Sequence, residues 1–259
     1  MQQKFSLMSQ SFFEKRSLKR LISVTVLMLI FLSTSSLVFA KPLNIEEDFD
    51  TENSDFTYNG QAYRDNLNGL VNLSPCCYSG SVFYNNPINT AQFNASFDFE
   101  IIRLDSVGAD GFTFAVIDSQ DPTYLGGGGG GLGYSQTPPG QIGGFAIEFD
   151  VHKNNEEPDG NHIALMIAGD RLGSIYLTGD IPELEDNGMF HAEISLKGGK
   201  KLEIYLENES IGYTKRKVVD YTIGGMKPFK GLVGFTGGVG LFRSLFYVDN
   251  FKLQHSPLN

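Results

Sequence analysis

Beyond position 40 the chain predicts an all-β protein, an antiparallel β-sandwich, and three observations carry that expectation. Apolar and polar residues alternate with a period of two in "ASFDFEII", "GFTFAVI", "GFAIEFDV", "HIALMIA", "FHAEISL", "KLEIYLE", "KGLVGFT" and "FYVDNFKL". Gly, Pro, Asn and Asp punctuate these runs, which are rich in aromatic and β-branched residues, the signature of strands joined by turns. No convincing amphipathic helix intervenes, which argues for a closed or packed antiparallel architecture rather than an α/β one.

The first forty residues follow a different pattern. Lys15, Arg16, Lys19 and Arg20 precede the uncharged run "LISVTVLMLIFLSTSSLVFA", which ends on small Ala40 with Val38 two places before it. A basic flank, an apolar core and a small-residue end form the pattern of a secretory signal cleaved before Lys41. The run is also long enough to span a bilayer as an uncleaved anchor. Four successive hydroxyls, Ser33 to Ser36, favour cleavage, and in either case the remainder is exported: secreted, periplasmic or at the cell surface. No other membrane segment is expected.

Removing the five basic residues and one acidic residue of this leader leaves fifteen basic and twenty-nine acidic residues, a net charge of −14. Such a surface repels phosphate backbones and anionic lipid, which argues against nucleic acid as a partner. Cys76 and Cys77 are adjacent, so they cannot staple distant parts of the fold. Stability must come from a core, which residues 41–259 can supply as one domain.

The run "LGGGGGGLGY" at 125–134 offers either a linker or a turn that something approaches closely. Strand patterning continues on both sides of it, which weakens the linker reading. The densest set of metal-ligand types follows in "EFDVHKNNEEPDGNH", Glu148 to His162. On a strand, Glu148 and Asp150 share a face, and His152 continues it into a polar loop with Asn154, Glu156, Glu157 and Asp159. His162 then opens the next strand. Carboxylates, an amide and an imidazole could satisfy a hard cation and a transition metal, or could form a solvated acidic hairpin. Two carboxylates on one strand also suit glycosidic hydrolysis.

Taken together, "GADGFTFAVI", "GGGGGGLGY" and "AIEFDVHKN…EPDGNHI" resemble the legume-type (L-type) lectin family. The resemblance extends to "GSVFYNNPI", "FNASFDFEI", "FHAEISL", "KLEIYLEN" and "GLVGFTGGVG". It implies a jelly-roll sandwich of the concanavalin A-like lectin and glucanase type that binds glycans without altering them. Carried over by motif, Asp110 of "ADG" matches an aspartate that accepts hydrogen bonds from sugar hydroxyls, often after a cis Ala–Asp bond. Gly129 and Gly130 are placed as backbone N–H donors to the sugar. Asn154 matches an asparagine that serves both sugar and calcium. Glu148, Asp150, Glu157 and His162 match ligands of Mn2+ or another transition metal. Asp150, Asn154, Glu157 and the backbone oxygen of His152 match the Ca2+ ligands. Oligomeric state varies with how sheets pack in this family, so a homo-oligomer is compatible with the resemblance.

The chain departs from the family pattern in the loop before His162. His152 stands where an aromatic ring usually stacks on the sugar, and Glu157 stands where aspartate is usual. The loop is also shorter, so Asp159 is an alternative ligand to Glu157. The related glucanases carry Glu-x-Asp-x-x-Glu on one strand; here Lys153 occupies the last place, a poor stand-in for a carboxylic acid. A structural or adhesive module without sugar binding is the other alternative. Asn72, Asn94 and Asn208 begin Asn-x-Ser triplets that a eukaryotic secretory pathway could glycosylate. His191, in a strand, and His255, in a polar tail, are expected to be structural or solvated.

Overall fold

Period-two alternation becomes sixteen strands among the described residues, in a computed structural model that describes residues 43–74, 78–155, 157–178 and 180–257. The leader and the adjacent cysteines lie outside that set. In chain order the strands are β1 (Leu43–Glu47), β2 (Phe56–Gly60), β3 (Tyr63–Asp65), β4 (Leu70–Asn72), β5 (Ser79–Tyr84), β6 (Ile88–Asn89), β7 (Gln92–Arg103) and β8 (Gly111–Asp118). They continue as β9 (Gly143–Asp150), β10 (His162–Ile167), β11 (Asp170–Thr178), β12 (Phe190–Lys197), β13 (Lys201–Asn208), β14 (Tyr213–Thr222), β15 (Lys230–Gly238) and β16 (Ser244–His255). Helical structure among the described residues is confined to 3-10 turns at Gly129–Gly131 and Glu209–Ile211.

Two antiparallel sheets result. One runs β14-β13-β12-β7-β16-β4-β3, with β1 also on β16; the other runs β11-β10-β9-β8-β15-β5-β2, with β6 also on β15. Each sheet turns one face inward, and the inner faces are lined with phenylalanine. Phe93, Phe97 and Phe99 of β7 meet Phe112 and Phe114 of β8, Phe149 of β9 and Phe235 of β15. Phe97 lies at the centre, 4.8 Å from Phe235 edge-on and 5.8 Å from Phe114 in a stack. Such pairs add roughly 0.5–1.5 kcal/mol each beyond the area they bury. The alternation in β16 changes parity between Val248 and Phe251, where the register slips and Asn250 adopts a φ of 50°. That bulge keeps Phe246, Val248, Phe251 and Leu253 all facing inward.

The outer face of the second sheet is covered as well. Ala115, Ile117, Ala146, Met166, Leu232 and Phe83 form a second cluster with Tyr134 and Ile142 from the β8–β9 connection. This connection lies across the sheet and carries the glycine run, so the run is part of a packed layer and no domain boundary falls there. By contrast, the exposed end strand β14 holds its charges in pairs. Lys217 bonds Glu203 at 3.1 Å and Asp220 at 2.6 Å, Lys201 also reaches Asp220, and Lys215 reaches Glu193.

His255 ends β16 and is buried, its Nδ1 2.8 Å from the Ser256 carbonyl, so of the two expected roles it takes the structural one, in a strand and not in a polar tail. Asn72 and Asn208 are buried, which leaves Asn94 as the exposed member of the three triplets in the folded protein. His191 is held in its strand by Asp98, 2.6 Å from Nδ1.

Truncating the central ring tests this packing. Phe97→Ala should cost about 3–5 kcal/mol, read from guanidinium unfolding at constant slope; a loss below about 1 kcal/mol would remove Phe97 from the centre of the core.

Candidate functional site

Strand register gathers the buried ligand types. Phe145, Ile147 and Phe149 of β9 face the core, so Ala146, Glu148 and Asp150 face the other way. Across the β9–β10 ladder His162 pairs directly with Asp150. Glu148, two residues back on the same face, completes the set: one ligand atom from each of Glu148, Asp150 and His162 lies within 4.8 Å of the others, and all three are buried.

Each member is held by a neighbour. The Ser174 hydroxyl donates to Glu148 Oε1 at 2.7 Å, and the His152 backbone N–H donates to Asp150 Oδ1 at 2.7 Å. His162 sets Nδ1 3.2 Å from Asp159 Oδ1, with the Tyr176 ring edge-on at 5.1 Å. Its buried Nε2 has no hydrogen-bond partner among the described residues. A carboxylate on Nδ1 fixes the tautomer and leaves Nε2 as the lone-pair donor. Asp159 therefore stands behind His162 as its orienting carboxylate.

The electrostatics call for positive charge. Burial lifts Glu148 to about 7; the Ser174 hydroxyl opposes this, and repulsion from Glu157 adds to it. Burial raises Asp150 well above the carboxylate range, and Glu157, Glu148 and Asp110 repel it further. Two buried carboxylates and an unpartnered imidazole nitrogen are costly together and fit a divalent cation with mixed oxygen and nitrogen ligands. Glu148, Asp150 and His162 would hold it. Its chemistry would be structural, replacing repulsion across β9 and β10 with attraction.

A second group of residues lies at the shared end of β8, β9 and β15. The Ala109–Asp110 peptide is cis, as the motif implies. Asp110 is tied in by its backbone, donating to the Gly238 carbonyl at 3.2 Å and accepting from Val151 N–H at 3.0 Å. Burial raises the pKa of its carboxyl, an effect opposed by charge from His152 and by the nearby Gly240 N–H. Oδ2 is buried and has no partner among the described residues.

The glycine run closes on this carboxylate. A Cβ on Gly129 would lie 3.9 Å from Asp110 Oδ2, and one on Gly130 would lie 2.9 Å from Asn154 Nδ2. Gly129 also needs its positive φ of 57°. Its N–H is used by the Val239 carbonyl at 3.2 Å, whereas the Gly130 N–H has no acceptor among the described residues. Of the two glycines singled out from sequence, Gly130 keeps a donor for a ligand, and Gly129 shapes the turn.

The loop from Val151 to Asn161 connects the two groups. Glu157 accepts from Asn154 N at 2.6 Å and from Asn154 Nδ2 at 3.0 Å, which turns Asn154 Oδ1 away from Glu157. His152 turns Nδ1 to the Gly108 carbonyl at 3.0 Å, with its ring 6.0 Å from that of Phe242. The structure thus brings Glu148, Asp150 and His162 together directly and joins Asn154 to Glu157. Asp110 and Gly130 are set around that loop. Sequence reasoning missed Ser174, Tyr176 and Arg171 of β11; Gly240 and Phe242 lie in "TGGVGLFRS", the stretch from Thr236 that the sequence marks as a specificity loop without singling out either residue. Ser174 and Tyr176 are spaced two apart in "GSIYLT", the one signal that could have marked them.

Asp150→Asn separates repulsion from ligation, because the amide oxygen can still accept from His152. In chelator the variant should be more stable than the parent by roughly 1–3 kcal/mol, the range for an uncompensated buried group. It should also lose the rise in melting temperature that divalent metal gives the parent. Lower stability in chelator would contradict the repulsion.

The comparisons with known proteins agree with this fold. A family model described as the legume lectin domain matches residues 45–258. Basic winged bean lectin, solved with Tn-antigen, superposes with a TM-score of 0.70 at 18% identity, covering 83% of this chain and 98% of that one. The winged bean acidic lectin, solved with methyl-α-D-galactose, gives 0.69 at 20% identity, covering 85% and 100%. A lectin from Bauhinia forficata, in complex with GalNAc, gives 0.67 at 19% identity, covering 82% and 97%. At such identities the likeness speaks for the shared sandwich, while the family model spans nearly every strand described above. The chain belongs to the legume lectin domain family.

Proposed function

We propose that this protein is an exported, non-catalytic lectin whose glycan binding depends on calcium. One observation carries the reading: the buried Oδ2 of Asp110, without a partner among the described residues, faces Gly129, and the next residue of the run, Gly130, approaches the Asn154 amide. A sugar hydroxyl both donates and accepts, so a carboxylate, an amide and a bare backbone N–H together satisfy it. Family membership supports carbohydrate as the ligand, and the galactose-type sugars held by the winged bean and Bauhinia lectins suggest that class first.

In this reading Ca2+ is held by Asp150, Asn154, Glu157 and the His152 carbonyl. Mn2+ or another transition metal is held by Glu148, Asp150, Glu157 and His162. Their task is to order the loop carrying Asn154 before ligand arrives, which lowers the entropic cost of binding a weak polar ligand. The leader at residues 1–40 supports export. Hydrolysis is disfavoured by Lys153, whose Nζ donates to the Pro158 carbonyl at 3.0 Å where the related glucanases carry a carboxylic acid.

A glycan array run in calcium and in chelator, with Asp110→Ala alongside, tests the proposal. Binding should appear in calcium and vanish in chelator. Asp110→Ala should lower affinity at least about tenfold with circular dichroism unchanged. Binding that survives both treatments would refute the assignment.

A further inference from the structure

The β10–β11 hairpin turns at Ala168 and Gly169, both with positive φ, at 51° and 73°. This pair of conformations is that of a type I′ turn, whose twist suits antiparallel strands. Ile167 pairs with Asp170 across the turn, and Leu165 pairs with Ile175. Two steps along β10 therefore match five along β11, and the surplus residues after Asp170 bulge from the ladder. Asp170 braces the bulge, its Oδ1 accepting from Gly173 N–H at 3.2 Å. A bulge re-aims side chains, and this one brings Arg171 to the glycine run.

A Cβ on Gly130 would lie 3.0 Å from Arg171 Nη1, about as close as to the Asn154 amide. The guanidinium is thus at the point where the Gly130 N–H and Asn154 meet a ligand. Its charge acts on both Asp110 and Glu148. Arg171 is half-buried and takes part in an interaction within the protein. Five N–H donors in a rigid fork let one guanidinium serve the protein and a ligand at once. A neutral sugar needs no such group, because Asp110, Asn154 and Gly130 already offer acceptors and donors. What a guanidinium adds is recognition of a carboxylate or another oxyanion.

We propose that Arg171 is a specificity-determining residue that makes this site prefer glycans bearing an anionic group, a carboxylate or a sulfate ester, beside the hydroxyls met by Asp110 and Asn154. This rests on the glycan-binding reading above and assigns its substrate class.

The test is calorimetry on the full chain, with calcium and manganese supplied, against matched sugars. The pairs are galactose with galacturonic acid, glucose with glucuronic acid, and N-acetylgalactosamine with its 6-sulfate. The acid arms separate carboxylate from sulfate recognition. In at least one pair the charged member should bind about tenfold tighter, and that preference should shrink as salt rises. Arg171→Gln should abolish the preference, bringing the charged member's affinity down to that of its neutral partner, and Arg171→Lys should keep part of it. Equal or weaker binding of every charged member overturns the proposal. So does an equal loss of both members in Arg171→Gln, which would make Arg171 a positioning residue for Asn154. Neutral binding without an acid preference removes the role of Arg171 alone; no binding of any sugar in calcium removes the glycan-binding reading as well.

Discussion

The structure depends on the two-sidedness of β9. Odd-numbered Phe145, Ile147 and Phe149 pack between the sheets, so even-numbered Glu148 and Asp150 must emerge on the opposite face. A slip of one residue would put two carboxylates into the phenylalanine core and three apolar side chains among the ligands. The core therefore fixes the register of the site. It does so from both flanks, since β8 and β10 pair with β9 along their lengths.

That coupling explains why much of the fold was legible in sequence. The runs quoted at the outset fall in β7, β8, β9, β10, β12, β13, β15 and β16, each with a face on the main core. From β7 onward only β11 and β14 were not among them, and both are end strands. Such a strand has a neighbour on one side and solvent on the other, so "DRLGSIYLT" and "YTKRKVVDYT" carry little apolar alternation. In β11 a bulge further interrupts the period.

The site was legible to a similar degree and for a related reason. Glu148, Asp150 and His162 follow from strand alternation and one ladder. Asp110, Gly129, Gly130 and Asn154 followed from resemblance, because their proximity depends on loops whose paths carry no period. Arg171 comes from a strand distant in sequence and no local pattern announces it, whereas Ser174 leaves only a two-residue spacing with Tyr176 and the loop of Gly240 and Phe242 shows as a glycine-rich stretch without its path. The approach of Asp159 Oδ1 to His162 Nδ1 at 3.2 Å likewise depends on how the loop closes, which composition does not show.

The charged end strand β14 has a consequence for how copies of this chain meet one another. A sandwich leaves the last strand of each sheet with unpaired backbone groups, a template on which another chain can add. Lys215 and Lys217 of β14 sit in ion pairs with Glu193, Glu203 and Asp220, while Arg216 lies over the Tyr213 ring at 4.7 Å. A strand adding there would have to strip water from these cations and compete with their partners. The ion pairs that contribute little to the stability of a single molecule thus act as a guard against sheet-to-sheet polymerisation.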